Sequence, residues 1–178
     1  LGTIGDERNN MPLQVMNIQY TLDAVEAAKE LGCTTFIGAG SQAEYGRVEG
    51  VLKSDTPVNP ENGYGMAKLC AGTMSRVVCQ KYGIKHIWTR ILSVYGPYDG
   101  ENTMIISAMK ALISGETPRF TKGEQQWDYL YSKDAANIMY LLSTYGKNQK
   151  TYCVGSGIAR PLAEYIEELK KCVNPNGH

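Results

Sequence analysis

The chain has 178 residues, 43% of them hydrophobic, and 18 basic and 18 acidic side chains that give a formal net charge of zero. This length fits one globular domain with a substantial core, and without a basic stripe the composition argues against nucleic acid as a partner. No apolar run reaches the length of a membrane span and the chain does not open with a basic-then-apolar order, so neither a membrane segment nor a signal peptide is predicted.

Cysteine and histidine usage restricts the chemistry further. Five widely spaced cysteines without a Cys-x-x-Cys pair predict reduced, buried thiols in a cytoplasmic protein. The chain contains two histidines, His86 and His178. Two histidines provide too few ligands for a histidine-based metal site and few candidates for a Ser-His-Asp triad, so we predict no metal.

The first predicted element is a helix from Pro12 to Leu31 that carries two apolar stripes. A helix that is apolar on two sides is covered on two sides, here by a sheet and by another helix or subunit. A buried strand is predicted from Thr34 to Ala39. Ser41 follows just beyond its carboxyl end, which is the edge where doubly wound folds bind ligands.

The alternation of helices and strands continues along the chain. After a polar loop, the sequence predicts a helix from Gly63 to Tyr82 and a strand from Lys85 to Ile91. Further helices are predicted at 103–113, 133–145 and 161–172, and further strands near Phe120, at 127–131 and at 151–154. Such alternation predicts an α/β fold with a mostly parallel sheet.

A glycine motif follows the first strand, but the sequence argues against a phosphate-binding role for it. Residues 38–43, GAGSQA, match the G-x-G-x-x-A pattern of dinucleotide-binding turns. Gly46 and Gly50 interrupt the helix that this motif needs, and no acidic residue ends a strand about twenty residues on. We therefore predict that this segment does not hold a pyrophosphate.

Tyr64 and Lys68 stand four residues apart at the start of the second predicted helix. A helix places both on one face, where an ammonium beside a phenol loosens the phenol's proton. Tyr129 and Lys133 repeat this spacing after a strand-like aromatic run, and we interpret that second pair as chance. Taken alone, the first pair also fits a packing tyrosine and a solvated lysine.

With their surroundings, these residues resemble the extended short-chain dehydrogenase/reductase family, in particular its NAD-dependent nucleotide-sugar epimerases and dehydratases. The matching segments, in chain order, are MNIQYTLDAVEAAKELGC, FIGAGSQAEYG, YGMAK, TRILSVYGP, GEQQWDYLYSKDAA and YCVGSG. The resemblance implies a Rossmann-type, mostly parallel sheet with helices on both faces, incomplete at the N-terminus. Residues 1–98 would be the C-terminal half of a cofactor domain, and residues 99–178 mostly a substrate-binding part that returns strands and helices to the core.

The resemblance also implies residue roles. Tyr64 would be the general acid/base, Lys68 would lower its pKa and bind the nicotinamide ribose of NAD or NADP, and Ser41 would hydrogen-bond the reacting sugar oxygen. By the same resemblance, Ile91 would bind the cofactor, and Asn17 and Ser93 would bind the nucleotide-sugar substrate. A capping turn serine at 41 and a mid-helix polar residue at 17 fit the local sequence equally well. The family's homodimer would form through the helices of residues 12–31 and 63–82.

Departures from the family pattern narrow the predicted reaction. The family's 4,6-dehydratases carry Thr-Asp-Glu where this chain has Ser41, Gln42 and Ala43, and neither Gln42 nor Ala43 can exchange a proton. We therefore expect 4-epimerisation or 4-keto reduction of a nucleotide sugar rather than dehydration. The open alternatives are a short-chain reductase of another keto substrate and a non-catalytic dinucleotide-binding or sensor protein of the same fold.

Two further departures concern the substrate. Ser93 stands where the family usually has asparagine, and Trp127 stands where an arginine commonly clamps the nucleotide diphosphate. Tryptophan offers stacking in place of a bidentate cation. This variant resembles the branch of CDP-abequose synthase-type reductases and epimerases. Arg119 and Lys122 are candidates for the missing charge, although both also fit exposed loop positions.

Overall fold

The structure, a computed structural model, describes residues 5–118 and 120–173. Its helices are α1 (Met11–Glu30), α2 (Gly63–Lys81), α3 (Met104–Ile113), α4 (Ser132–Tyr145) and α5 (Leu162–Val173). Its strands are β1 (Thr35–Ser41), β2 (Lys85–Ile91), β3 (Ser93–Tyr95), β4 (Gln126–Trp127), β5 (Tyr129–Tyr131), β6 (Lys150–Val154) and β7 (Arg160–Pro161). Two compact units divide the described residues: 5–92 with 136–154, and the remainder.

The first unit contains a parallel three-stranded sheet in the order β1-β2-β6. Its register pairs Ser41 with Ile91 and Ile91 with Val154, so the carboxyl ends of the three strands meet at one edge. This parallel sheet with its connecting helices confirms the predicted α/β, Rossmann-type class.

Helices α1 and α2 pack together in the first unit, and local signals set their ends. The Asn10 side chain accepts from the Leu13 N–H at the start of α1, and the Asn62 side chain accepts from the Gly65 N–H at 2.9 Å at the start of α2. After α1, Gly32 adopts a φ of +69°, as the predicted helix stop requires. Val25 and Cys79 meet in the core between the two helices.

The two faces of α1 differ in this single chain. The buried face carries Gln14, Asn17 and Val25, so two of its buried residues are polar. One of the two predicted apolar stripes includes Tyr20 and Leu31, which are 50% and 80% exposed. One of the two apolar sides predicted to be covered therefore has no cover within the described part of this chain.

The glycines of the G-x-G-x-x-A motif lie inside β1 rather than in a loop. A Cβ at Gly38 would collide with the Trp88 ring, and one at Gly40 would collide with the Glu44 carboxylate and the Trp88 indole. Only a 3-10 turn, Gln42–Glu44, follows the strand. Glycine is needed here to admit two buried side chains, which agrees with the prediction that the segment holds no pyrophosphate.

The second unit contains two small sheets, β3 with β5 in parallel and β4 with β7 antiparallel. Strands β3 and β7 were not predicted, and the strand predicted at 127–131 is divided between β4 and β5. The strand predicted near Phe120 is wrong: this residue lies between Pro118 and Gly123, whose φ of +69° bends the backbone. Tyr129 lies in β5 and Lys133 in α4, so the second tyrosine–lysine pair does not share a helix.

The prediction of buried thiols is wrong for most of the cysteines. Cys79 is buried, Cys33 and Cys172 are exposed, and all five are free thiols. Cys33 and Cys172 lie near helix ends at the surface, where a small apolar side chain has no core to enter. Among the described residues, no helix is long and apolar enough to cross a membrane, and no group of three metal-ligating side chains occurs.

Candidate functional site

Tyr64 lies in the first turn of α2, between two glycines that let this turn pack closely. A Cβ at Gly63 would lie 2.9 Å from the carbonyl oxygen of Arg8, and one at Gly65 would collide with the carbonyl of Ala43. The Gly63 N–H also donates to the Asn9 side chain at 3.1 Å. The start of α2 is thereby fixed against the segments on either side, and Tyr64 is fixed with it.

Ser41 acts on Tyr64, because hydrogen bonding from the Ser41 side chain lowers the pKa of the phenol. The Ser41 hydroxyl oxygen already accepts from the Ala43 N–H at 3.2 Å, which leaves its own proton free to be donated to the phenol. The structure thus brings together two of the predicted catalytic residues at the carboxyl end of β1.

Lys68 lies one helical turn beyond Tyr64 and near the same strand. Its ammonium donates to the Ala39 carbonyl at 2.9 Å and lies 5.8 Å from the centroid of the Tyr64 ring. Burial lowers the pKa of Lys68, and the Glu44 carboxylate opposes that shift. Two of the three ammonium protons remain for other acceptors.

The surroundings of Tyr64 raise the pKa of its phenol, and the role of Lys68 in lowering that pKa stays a prediction. Burial raises the pKa of Tyr64 above its ordinary value of 10.0, and the Glu44 charge adds to the rise. The hydrogen bond to Ser41 and the positive charge of Arg8 oppose it. Lys68 also donates to a backbone carbonyl, and a second positive charge, that of Arg8, acts on the phenol.

Arg8 is a residue of this site that sequence reasoning missed. It belongs to the 3-10 turn Gly5–Asn9 ahead of α1, and its guanidinium carbon lies 5.4 Å from the centroid of the Tyr64 ring. Nothing in the local sequence indicates this contact, because 56 residues separate the two positions.

Glu44 was missed as well, although a signal for it exists. Its side chain is fully buried and accepts from the Ser41 N–H at 2.9 Å, the Trp88 indole N–H at 3.0 Å and the Arg90 Nε–H at 2.8 Å. Ser41 and Glu44 form a capping box, and their S-x-x-E spacing is the signature of that motif. Glu44 therefore links the carboxyl ends of β1 and β2 beneath Tyr64.

The remaining predicted site residues lie in different places. Ile91 is the register neighbour of Ser41 at the ends of adjacent strands. Asn17 lies on the buried face of α1 and donates to the Gln14 side chain at 2.8 Å. Ser93 begins β3 in the second unit, in register with Tyr129.

The positions offered for diphosphate binding lie in the second unit or outside the described residues. Arg119 is outside them, and Lys122 is exposed. The indole nitrogen of Trp127 is buried without a hydrogen-bond partner. The neighbouring Asp128 accepts from the backbone N–H groups of Ser156 and Gly157 at 2.8 and 3.0 Å, which holds a turn rather than a ligand.

Comparison with known proteins places this site in a family. A model of the NAD dependent epimerase/dehydratase family matches residues 5–155. Because that match covers most of the chain, the chain belongs to this family of short-chain dehydrogenase/reductase relatives.

Individual relatives are distant, and each is considerably longer than this chain. An uncharacterized UDP-glucose epimerase, YtcB, of Bacillus subtilis is 28% identical over 69% of this chain and 39% of its own length. A dTDP-glucose 4,6-dehydratase of Bacillus anthracis, solved with NAD, matches with a TM-score of 0.80 and 21% identity over 90% of this chain and 53% of its own. RMD of Pseudomonas aeruginosa, solved with NADPH, matches with a TM-score of 0.81 and 23% identity over 89% of this chain and 58% of its own. The chain thus spans from about two fifths to somewhat over half of these relatives.

Proposed function

We propose that the full-length protein is an NAD- or NADP-dependent nucleotide-sugar 4-epimerase or 4-ketoreductase in which Tyr64 carries the proton. The observation that supports this most is that the Ser41 side chain, at the carboxyl end of β1, lowers the pKa of the Tyr64 phenol, with Lys68 one turn further along the same helix. Proton transfer to a sugar oxygen needs an acidic hydroxyl held beside a second donor, and this pair supplies both.

The residues of the chain fit one end of the dinucleotide. The two ammonium protons of Lys68 that Ala39 leaves free suit the hydroxyls of the nicotinamide ribose, and Tyr64 and Ile91 lie at the same sheet edge. When bound, the nicotinamide supplies hydride transfer. The glycines at 38 and 40 do not fit the pyrophosphate, since Trp88 and Glu44 fill the space beside them.

The proton path then uses this chain's own groups. In the oxidative direction, the Tyr64 phenolate would take the proton of the sugar hydroxyl, the carbon-bound hydrogen would leave as hydride to the oxidised nicotinamide, and the Ser41 hydroxyl would hydrogen-bond the same sugar oxygen. The first turn of α2 favours the phenolate, because helix N-termini stabilise negative charge. Gln42 and Ala43 offer no second acid or base, which supports epimerisation or ketone reduction over elimination of water.

A direct test compares turnover of a panel of nucleotide sugars by the wild type and by Tyr64→Phe in the full-length protein. We expect Tyr64→Phe to lose on the order of 10²- to 10⁴-fold in rate while keeping cofactor affinity, because one hydroxyl is removed and the ring stays. Lys68→Ala should lower both the turnover rate and the cofactor affinity. Tyr82→Phe, at the far end of α2, is the matched control and should keep normal turnover. Wild-type rates in Tyr64→Phe would favour the sensor alternative.

We also propose that the protein forms a homodimer through α1 and α2. These helices pack against each other, and each leaves large apolar side chains in solvent: Met16 and Tyr20 on α1, Met74 and Val77 on α2. In a two-fold dimer the same surface of each subunit meets its copy, so these apolar side chains would pack against one another.

A further inference from the structure

Arg8 is held against the catalytic helix by the segment around it. The Asn9 side chain accepts from the Gly63 N–H at 3.1 Å, and the Gln14 side chain donates to the Glu7 carbonyl at 3.0 Å. Because Gly63 has no Cβ, the backbone of Arg8 can approach the first turn of α2 closely. The position of the arginine relative to Tyr64 is thus fixed by backbone packing, as well as by its own side chain.

The Arg8 side chain faces the Tyr64 ring at a cost. Its Nε is buried and has no hydrogen-bond partner. A buried donor of a charged group without a partner is unfavourable, and such groups are rare in folded proteins. A cation over an aromatic face recovers part of that energy, and 5.4 Å from the ring centroid is within the range of this interaction. A purely structural arginine would gain more from solvent or from a carboxylate.

Three other side chains surround Tyr64, and Lys68 is the one among them that is positively charged, with Nζ 5.8 Å from the ring centroid. Ser41 contributes a neutral hydrogen bond, and Glu44 brings a negative charge that favours the neutral phenol. Lys68 directs its ammonium to Ala39 at 2.9 Å. Arg8 is thus the second cation near the ring, and its charge lowers the pKa of the phenol.

We propose that Arg8 is a second positioning residue for proton transfer: its guanidinium stabilises the deprotonated form of Tyr64 and holds the ring toward Ser41. This inference rests on the proposed role of Tyr64 and assigns Arg8 a part in it alongside Lys68. A phenolate near a guanidinium is favoured electrostatically, and the effect is strongest where water is excluded.

The test follows the ionisation of Tyr64 in the full-length protein labelled with tyrosine carrying ¹³C at the ring ζ carbon. Tyr64→Phe identifies the Tyr64 signal, and the pH dependence of turnover on a nucleotide sugar that the wild type converts gives a second readout. Arg8→Gln should move the titration midpoint and the corresponding limb of the rate profile upward by about one pH unit, a tenfold change in proton affinity. Arg8→Lys keeps the charge and should restore most of the shift.

The control is Arg76→Gln, which removes an arginine charge twelve residues beyond Tyr64 in α2. At about 1.5 Å per residue this is roughly 18 Å away, beyond the screening length of about 8 Å in physiological salt, so neither readout should move. An unshifted midpoint and limb in Arg8→Gln, even with slower turnover, would overturn the inference and leave Arg8 a packing residue. If Tyr64→Phe itself kept wild-type turnover, the proposed function would fail together with this inference.

Discussion

Removal of the Glu44 charge should destabilise the protein more than any other single carboxylate substitution in the first unit. Glu44 is fully buried, and its partner Arg90 is 8% exposed. The substitution Glu44→Gln keeps the shape but leaves the guanidinium, whose Nε lies 2.8 Å from the carboxylate, without its countercharge. It also places an amide among the N–H donors of Ser41, Trp88 and Arg90.

Breaking a buried ion pair by removing one partner costs about 3–5 kcal/mol. With a urea m-value of roughly 2–3 kcal/mol/M, the unfolding midpoint should fall by about 1–2.5 M. The matched control is Glu61→Gln, which breaks the pair with Arg47 at 3.2 Å, where the Arg47 side chain is 93% exposed. Exposed pairs contribute about 0–1 kcal/mol, so this midpoint should hardly move.

The measurement is urea denaturation of the full-length protein followed by tryptophan fluorescence, since Trp88 contacts Glu44 directly. If Glu44→Gln lost less than about 1 kcal/mol and matched the control, the Glu44–Arg90 pair would have to be reached by water, and our account of its burial would be refuted.

Three further predictions concern pH, cofactor and assembly. Burial and Arg76 lower the pKa of His86 to about 4 from 6.5; the unfolded chain then binds a proton that the folded one does not, so stability should be lost as the pH falls from about 6.5 toward 4. His86→Gln should flatten this slope in urea titrations, and an already flat wild-type slope would contradict us. The isolated 178-residue chain should not bind NAD(H) usefully, because it lacks a glycine loop that could cradle the pyrophosphate; low-micromolar binding by calorimetry would speak against this. Val77→Glu should turn the dimer into a monomer in light scattering, whereas a wild type that is already monomeric would exclude the interface.

Much of the fold followed from local patterns. The strand Lys85–Ile91 has the predicted limits, and the helices begin and end within two residues of their predicted positions. Helix periodicity, capping asparagines and a stop glycine act over a few residues, so they are visible in the sequence. The same holds for Tyr64 and Lys68, whose shared helix follows from their spacing, and for Ser41, which the strand end brings to the same edge of the sheet.

What the tertiary structure alone decided is the electrostatic setting of that site. Arg8 reaches Tyr64, and Arg90 reaches Glu44, from segments distant in the sequence, so both pairings are set by packing. The direction of the pKa shift of Tyr64 also depended on packing, because desolvation is a property of the surrounding protein and cannot be read from sequence spacing. The sequence by itself thus determined which groups could exchange a proton, while the folded chain determined how readily they would do so.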